Sequence, residues 1–197
     1  MYPENYIIKS IPDQIKILNL FLGKRLEVDY SKINQTTLPE GAEGFFVIPK
    51  INEDNYLKEL KIISEKLKIN SLVGNLKNFN RHYLTVDYFE ELSFRQGNWG
   101  DVFIVPAQFG MRYQGKSVEE VLEELSFEEV PLGAYEGLCM FLTHPARMYK
   151  DTHLFLDFPG DYLKGSKKFY LNFDCQKVNV RNSQKSNFNF GSITAFF

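Results

Sequence analysis

Hydrophobic positions recur at helical spacing in several stretches of the chain. The clearest stretch begins at Ser10-Ile-Pro-Asp, a helix-start pattern, and ends at Gly23. Its apolar residues fall on one face of a helix: Ile11, Ile15, Leu18 and Leu22. Similar patterns predict helices over 52–68, 83–94, 117–125 and 131–142, and a short one after Thr143.

Continuous apolar runs between these helices predict strands. Residues 44–49 and 101–106 each form such a run and each ends on proline. Residues 153–157 predict a third strand, 169–173 and 177–180 a hairpin, and 192–197 a last strand. The fold class is therefore α/β to α+β, with helices packed on a mixed β-sheet and a C-terminal hairpin region. Residues 1–197 form a single domain, in which 1–40 could be an N-terminal helical subregion.

Composition narrows the class of protein. The chain has 197 residues, a net charge of −2 and a pI of about 6.0, so nothing global favours nucleic acid as a partner. It shows no signal peptide and no apolar run that could cross a membrane, so we expect a cytoplasmic protein. Its 18 Phe and 11 Tyr predict a strongly aromatic core or an aromatic interaction surface, and we favour the core.

One segment matches a phosphate-binding loop. Gly110-Met-Arg-Tyr-Gln-Gly115-Lys116-Ser117 fits the pattern G-x-x-x-x-G-K-[ST] between a predicted strand and a predicted helix. In that interpretation Lys116 would reach the phosphates of Mg-ATP or Mg-GTP, and Ser117 would hold the magnesium. Asp157, at the end of a later predicted strand, could serve on the magnesium side.

Other features of the same segment favour a plain strand–turn–helix connection. The loop interior carries bulky side chains where a phosphate loop usually has small ones. Pro106-Ala-Gln-Phe separates the strand from Gly110. Ser117-Val-Glu-Glu120 is a capping box, which alone explains the helix start. Nucleotide binding is thus the alternative interpretation.

Glu136 is the one ionisable residue in an apolar predicted helix, so we expect its carboxylate to be buried. A structural ion pair with Arg112 or Arg147 is the favoured explanation. The functional alternative is a hydrolase in which Glu136 works with His144. The histidine spacings match no metal-binding motif, and Cys139 and Cys175 are too few and too far apart for a zinc site, so no metal is expected.

Charge is locally uneven. Residues 117–130 carry six Glu and no base, whereas 164–185 carry six Lys or Arg and one Asp. We interpret the acidic run as the solvated face of a helix and its following loop. The basic stretch is interpreted as a hairpin with inward aromatics and outward lysines, although its aromatics could also stack bases.

Several segments resemble an uncharacterised family of bacterial and phage proteins. They are 41–49, 105–112, 132–136, 142–147 and 191–196. The resemblance covers most of residues 39–197 and implies no established activity, fold or cofactor. Relatives carry Arg where this chain has Lys116, which weakens the phosphate-loop interpretation.

The leading interpretation is a binding or interaction protein whose site lies at strand ends and needs no cofactor. Six residues just after predicted strands or at helix ends are the candidate lining: Gln108, Arg112, Glu136, His144, Arg147 and Asp157. The partner would be an unidentified protein or small molecule, with no role for a membrane, and a homo-oligomer is compatible with this interpretation. Whether the chain catalyses any reaction stays open.

Overall fold

A computed structural model describes residues 6–32, 37–68, 78–97, 99–148, 155–174 and 177–197. Within them lie the α-helices α1 Ile11–Leu22, α2 Tyr56–Lys66, α3 Tyr83–Arg95, α4 Val118–Glu124 and α5 Ala134–Thr143. The strands are β1 Gly44–Pro49, β2 Phe79–Arg81, β3 Val102–Gln108, β4 Glu129–Pro131, β5 Phe155–Leu163, β6 Ser166–Phe173, β7 Val178–Asn182, β8 Phe190–Ser192 and β9 Thr194–Phe196.

The strands form two sheets. The first has the order β1-β3-β9-β4, and every pair in it is antiparallel. The second has the order β2-β5-β6-β7, with β8 pairing parallel to β5. The chain is therefore a single α+β domain with helices packed on one antiparallel and one mixed sheet, which confirms the predicted fold class. The hairpin predicted near the C-terminus is also confirmed, as β6 and β7.

The segment from Phe190 to Phe196 joins the two sheets. β8 belongs to the second sheet and β9 to the first, with only Ile193 between them. The last strand predicted over 192–197 is present as β9, although it is shorter than predicted, because Ser192 belongs to β8 and the chain changes sheets at Ile193. The main core lies between the sheets and around α5, a helix that is buried on nearly all sides as its apolar sequence indicates.

The first helix follows its sequence signals closely. The Ser10 side chain accepts a hydrogen bond from the Asp13 N–H, and Gly23 ends the helix in the left-handed conformation with φ +67°. Ile15 and Leu18 are buried against Val47 and Val102 of the first sheet. α1 therefore packs against the face of the first sheet that carries Val47 and Val102.

Three prolines belong to strands; Pro49 ends its strand as predicted, whereas Pro106 and Pro131 differ from prediction. Pro49 is the last residue of β1, and Pro106 lies within β3 rather than at its end. Pro131 belongs to β4, and α5 begins three residues later, at Ala134, with Gly133 as its N-cap. Proline fits a strand wherever its missing N–H has no partner to reach, so a proline alone does not end a strand.

Two further boundaries differ from prediction. The helix expected from Asn52 starts as a 3-10 turn over Glu53–Asn55, in which the Asn52 side chain accepts from the Asp54 N–H, and α2 follows. The region 69–81, predicted to be a loop, contains the short strand β2, while 69–77 lie outside the described residues. Among the described helices, none has the length and apolar character needed to cross a membrane.

Candidate functional site

Pro106 interrupts the pairing between β3 and β9. The two strands pair at Gln108↔Thr194 and Ala107↔Ala195, and the ladder stops there. The Ala107 carbonyl accepts from the Glu43 N–H on the β1 side, so the alternation of a strand turns residue 106 toward β9. Pro106 has no N–H to continue the ladder. Beyond this point the two strands have no backbone ladder to hold them together.

Side chains from α3 satisfy the backbone groups that this gap leaves open. The Tyr88 hydroxyl donates to the Phe196 carbonyl at 3.0 Å. The Gln96 side chain donates to the Ile104 carbonyl at 3.1 Å and accepts from the Ile104 N–H at 3.0 Å. Both side chains are buried, so α3 provides the hydrogen bonds that a neighbouring strand would otherwise supply.

A pocket of about 300 Å³ opens in this gap. Its lining comes from the first sheet, from the start of α1, from the end of α3, and from Thr37 and Pro39. The lining is mainly apolar and aromatic: Ile11, Thr37, Pro39, Phe45, Glu91, Leu92, Arg95, Gln96, Trp99, Ile104, Pro106, Phe196 and Phe197. A concave, largely apolar space of this size is typical of a small-molecule site.

The charged groups of the pocket come from one helix. Glu91 and Arg95 lie one turn apart on α3 and form an ion pair, and both side chains remain substantially exposed. Trp99, the one tryptophan of the chain, also lines the pocket. An exposed ion pair of this kind contributes little to stability, so either partner can exchange its contact for a ligand group at small cost.

Two of the predicted site residues, Gln108 and Arg112, come together around Glu129. Glu129 is buried and accepts from the Tyr113 hydroxyl at 2.8 Å and from the Thr194 hydroxyl. Arg112 approaches the same carboxylate, with Nε 3.5 Å from Oε2. Gln108 donates to Thr194 Oγ1 at 2.9 Å and to the Ser192 carbonyl at 2.7 Å. We name this set the Glu129 cluster.

The bonds of the Glu129 cluster tie the first sheet to the segment that crosses between sheets. Burial, together with the nearby carboxylate, raises the pKa of Tyr113 to about 12, so its hydroxyl stays a donor at neutral pH. The bond to Tyr113 and the charge of Glu129 raise the pKa of Arg112 against the effect of burial. Gln108 also accepts from the Gly110 N–H at 2.7 Å. The bonds of the cluster join parts of the fold to one another. Arg112 is the member whose side chain is exposed.

His144 and Arg147 lie together at the C-terminal end of α5. His144 is buried, and its Nε2 accepts from the Lys9 N–H at 2.9 Å while Nδ1 lies 2.8 Å from the Thr143 hydroxyl. Burial, followed by the charge of Lys9, lowers the pKa of His144 to about 4. Arg147 is also buried and donates to the Phe109 carbonyl at 2.8 Å. Both side chains therefore anchor the chain around the short helix that Pro145 begins.

Glu136 is buried as predicted, but its partner is Arg81 rather than Arg112 or Arg147. Arg81 NH2 lies 2.6 Å from Glu136 Oε1, and Oε2 accepts from the Gly133 N–H at 3.1 Å. Asp161 sits beside it, accepting from the Tyr56 hydroxyl at 2.6 Å and from the Ala134 N–H at 2.5 Å. The two carboxylates thus satisfy the N-terminus of α5, where negative charge is stabilised.

Glu136 and His144 stand at opposite ends of α5, one in its first turn and the other at its C-cap. Eight residues of helix separate them, which is about 12 Å along the axis. A hydrolase mechanism needs both groups on one reacting bond, and this arrangement gives the pair no shared site.

Asp157 lies in β5 of the second sheet, in register with Ser192, the residue whose carbonyl accepts from Gln108. It is buried, and its Oδ2 accepts from Arg181 NH1 at 2.8 Å. Burial raises the pKa of Asp157 to about 7, although Arg181 acts in the opposite direction. In register beside it stand Asn172 and Ser192, each with a buried side-chain oxygen that has no hydrogen-bond partner in the described part of the chain.

The segment Gly110–Ser117 forms a turn whose polar groups are used within the chain. Gly110 and Gly115 have φ of +94° and +85°, and the Gly115 N–H donates to the Phe190 carbonyl. Lys116 pairs with Glu124, and the Ser117 hydroxyl caps α4 as the capping box predicted. The groups expected to bind phosphate therefore already have partners.

No group of three or more metal-ligating side chains occurs among the residues with described positions. Asp151, His153 and Cys175 lie outside that part of the chain, and Cys139 is buried in α5. Burial raises the pKa of the Cys139 thiol well above its usual range, as expected of a core residue.

The pocket residues were not found by sequence reasoning. Most of them are ordinary hydrophobic residues, and they come from segments far apart in the chain. One signal was available: Pro106 within an apolar strand marks a place where a neighbouring strand cannot pair.

A comparison with protein-family models finds no match to this chain, and neither do comparisons with curated proteins and with solved structures.

Proposed function

We propose that this protein binds a compact, largely apolar small molecule in the pocket between β3, β9 and the end of α3. The observation that carries this proposal is the 300 Å³ pocket with its aromatic and aliphatic lining. Phe45, Trp99 and Phe196 offer ring faces and edges, which suit an aromatic or alicyclic body. Binding of this kind needs no cofactor.

The rim defines the second part of the ligand. Glu91 and Arg95 are the charged side chains of the lining, and they lie one turn apart on α3. A ligand with an apolar body and one acidic or polar end would bury the body and leave that end beside Arg95. The buried acids and bases of the fold lie in bonded clusters outside this lining, so the proposal is of binding without catalysis.

Anilinonaphthalenesulfonate, an aromatic dye with one anionic group, is a suitable probe. We expect saturable binding that quenches Trp99 emission by energy transfer, because Trp99 lines the pocket. Ile104→Phe places a ring in the open space and should reduce the affinity at least tenfold. Phe94→Ala is the matched control, since Phe94 is 91% exposed on the same helix and does not line the pocket.

The control variant distinguishes dye binding in the pocket from dye binding to exposed aromatic side chains. Binding that survives Ile104→Phe but falls in Phe94→Ala would place the dye on the exposed aromatic surface and contradict the proposal. A circular-dichroism melt of each variant confirms that the comparison is made between folded proteins.

A further inference from the structure

The outer surface of α1 is basic with an apolar centre. A shallow, open depression surrounds this side of the helix, and its lining includes Lys9, Lys16, Ile17, Leu20, Lys24 and Arg25, which we name the α1 surface. Leu20 is 81% exposed. None of the four basic side chains forms an ion pair with another described residue, and the acid nearby, Asp13, accepts from Ser10.

The region of α4 has the complementary character. Glu119, Glu123 and Glu128 are exposed, and none of them forms an ion pair within the described residues. Phe127, in the turn after α4, is 91% exposed. We name these four residues the α4 surface. It presents unpaired acids around an exposed aromatic ring, just as the α1 surface presents unpaired bases around an exposed leucine.

The two surfaces belong to different parts of the fold. α1 packs on β1, α2 and α5, whereas α4 packs on β5 of the second sheet. The matching charges and apolar residues therefore cannot be explained as one contact within a single chain.

We propose that the chain associates head to tail with a second copy of itself, the α4 surface of one copy docking on the α1 surface of the next. Phe127 would pack against Ile17 and Leu20, and the acids would face the lysines and Arg25. A second copy is the favoured occupant because the complementary surface is present on the chain itself, and because a net charge of −2 gives no general attraction to nucleic acid or anionic lipid.

The geometry of such an interface has a consequence for the assembly. Because the two surfaces differ, the contact is heterologous, so a dimer keeps one free surface of each kind and association is open-ended unless the rotation closes a ring. Exposed ion pairs are individually weak and are screened by salt, so we expect weak association that disappears at high ionic strength.

Charge reversal tests the pairing directly. In Lys16→Glu/Lys24→Glu the α1 surface loses its net positive charge, and in Glu123→Lys/Glu128→Lys the α4 surface becomes basic. Sedimentation velocity at low salt should show mass increasing with concentration for the wild-type chain, and a 23.0 kDa monomer for each variant alone. An equimolar mixture of the two variants should associate again, because the unchanged α4 surface of the first variant can dock on the unchanged α1 surface of the second.

A matched control exchanges charges elsewhere. Lys61→Glu/Glu65→Lys inverts an exposed ion pair on α2 and should associate like the wild-type chain. Leu20→Ser and Phe127→Ser should each weaken association without altering the charge. A wild-type chain that stays monomeric at low salt, or a variant mixture that stays monomeric while both variants are folded by circular dichroism, would overturn the proposal.

Discussion

Two buried glutamine side chains form hydrogen bonds to strand backbone groups that have no neighbouring strand to pair with. Gln14 of α1 donates to the Phe45 carbonyl at 2.8 Å and accepts from the Val47 N–H at 2.9 Å, so it covers the free edge of β1. Gln96 does the same for Ile104 in β3. An uncovered edge would leave backbone groups unsatisfied and open to pairing with another chain.

Gln14→Leu should therefore destabilise the fold by about 2–4 kcal/mol, because it leaves buried backbone groups of β1 without partners. Urea unfolding measures this change. The control is Gln114→Leu: the Gln114 side chain also bonds a carbonyl, that of Phe188, but in an exposed setting, so its loss should cost under about 0.5 kcal/mol. Equal losses of unfolding free energy in the two variants would contradict the role of Gln14 in satisfying the edge of β1.

Because of the Asp157 carboxyl, the free energy of unfolding should fall as the pH rises. Its pKa is about 7 in the folded chain and about 3.9 in an unfolded one, so the folded state holds the proton more tightly. The stability contributed by the protonated form is complete below about pH 4 and is lost by about pH 7, up to about 4 kcal/mol.

Asp157→Asn removes this titration, so the wild-type chain should lose stability relative to the variant between pH 4 and pH 8. Urea unfolding at both pH values gives the comparison. Asp87→Asn, on the exposed side of α3, is the control and should leave the pH profile of the wild-type chain in place. A difference between wild-type and Asp157→Asn chains that stays constant with pH would contradict the burial argument.

At the residue scale, the sequence predicted the burial of a charged side chain better than it predicted the residue that pairs with it. The apolar surroundings of Glu136 predicted correctly that its carboxylate would be buried. Its partner Arg81 lies 55 residues earlier and arrives through β2, a strand too short to show an alternating pattern. Gln108 and Arg112 were predicted to lie near each other, but Glu129, which joins them, was assigned to a solvated acidic run.

At the element scale, Pro106 and Tyr88 should be energetically coupled. Tyr88 supplies the Phe196 carbonyl with the hydrogen bond that Pro106 lacks the N–H to make. Tyr88→Phe should cost about 1–2 kcal/mol in the wild-type chain, because a buried carbonyl loses its donor.

In a Pro106→Ala background the new N–H at residue 106 can take the place of the lost hydroxyl. The cost of Tyr88→Phe should then fall by at least half, giving a measurable interaction energy in a double-mutant cycle of urea unfolding curves. Additive effects of the two substitutions would show that the gap between β3 and β9 has another cause.

Element types were predictable where caps and periodicity agree. α1 and α4 lie where their capping residues indicated, and β6 and β7 form the predicted hairpin. The errors at Pro106 and Pro131 share one cause, because local sequence does not reveal whether a strand N–H will have a partner. Pro131 was predicted to begin a helix. It lies instead in β4, which pairs antiparallel with β9.

At the scale of the whole molecule, the phosphate-loop alternative makes a distinct prediction. A nucleotide bound at about 100 times its Kd adds roughly 2.7 kcal/mol, or roughly 5–11 °C in Tm for a chain of this length. Because the Gly115 N–H and the Ser117 hydroxyl are already used within the chain, we expect a shift under about 1 °C with Mg-ATP or Mg-GTP. A larger shift that Lys116→Ala abolishes would revive nucleotide binding.

The sheet topology could not be predicted from local patterns. The sequence suggests one mixed sheet, whereas the chain crosses from the second sheet to the first at Ile193 and so builds two. The pocket arises from this long-range arrangement: β3, β9, α1 and α3 meet there although they are separated along the chain.

The most direct test of the pocket is a methyl NMR spectrum of isoleucine-labelled protein titrated with anilinonaphthalenesulfonate. Ile11 and Ile104 line the pocket, whereas Ile63 and Ile193 are buried in the main core and Ile17 faces outward on α1. We expect saturable shifts at Ile11 and Ile104, with Ile63, Ile193 and Ile17 unchanged. Shifts confined to Ile17, or no saturable shift at Ile104, would contradict the assignment of the pocket as the ligand site.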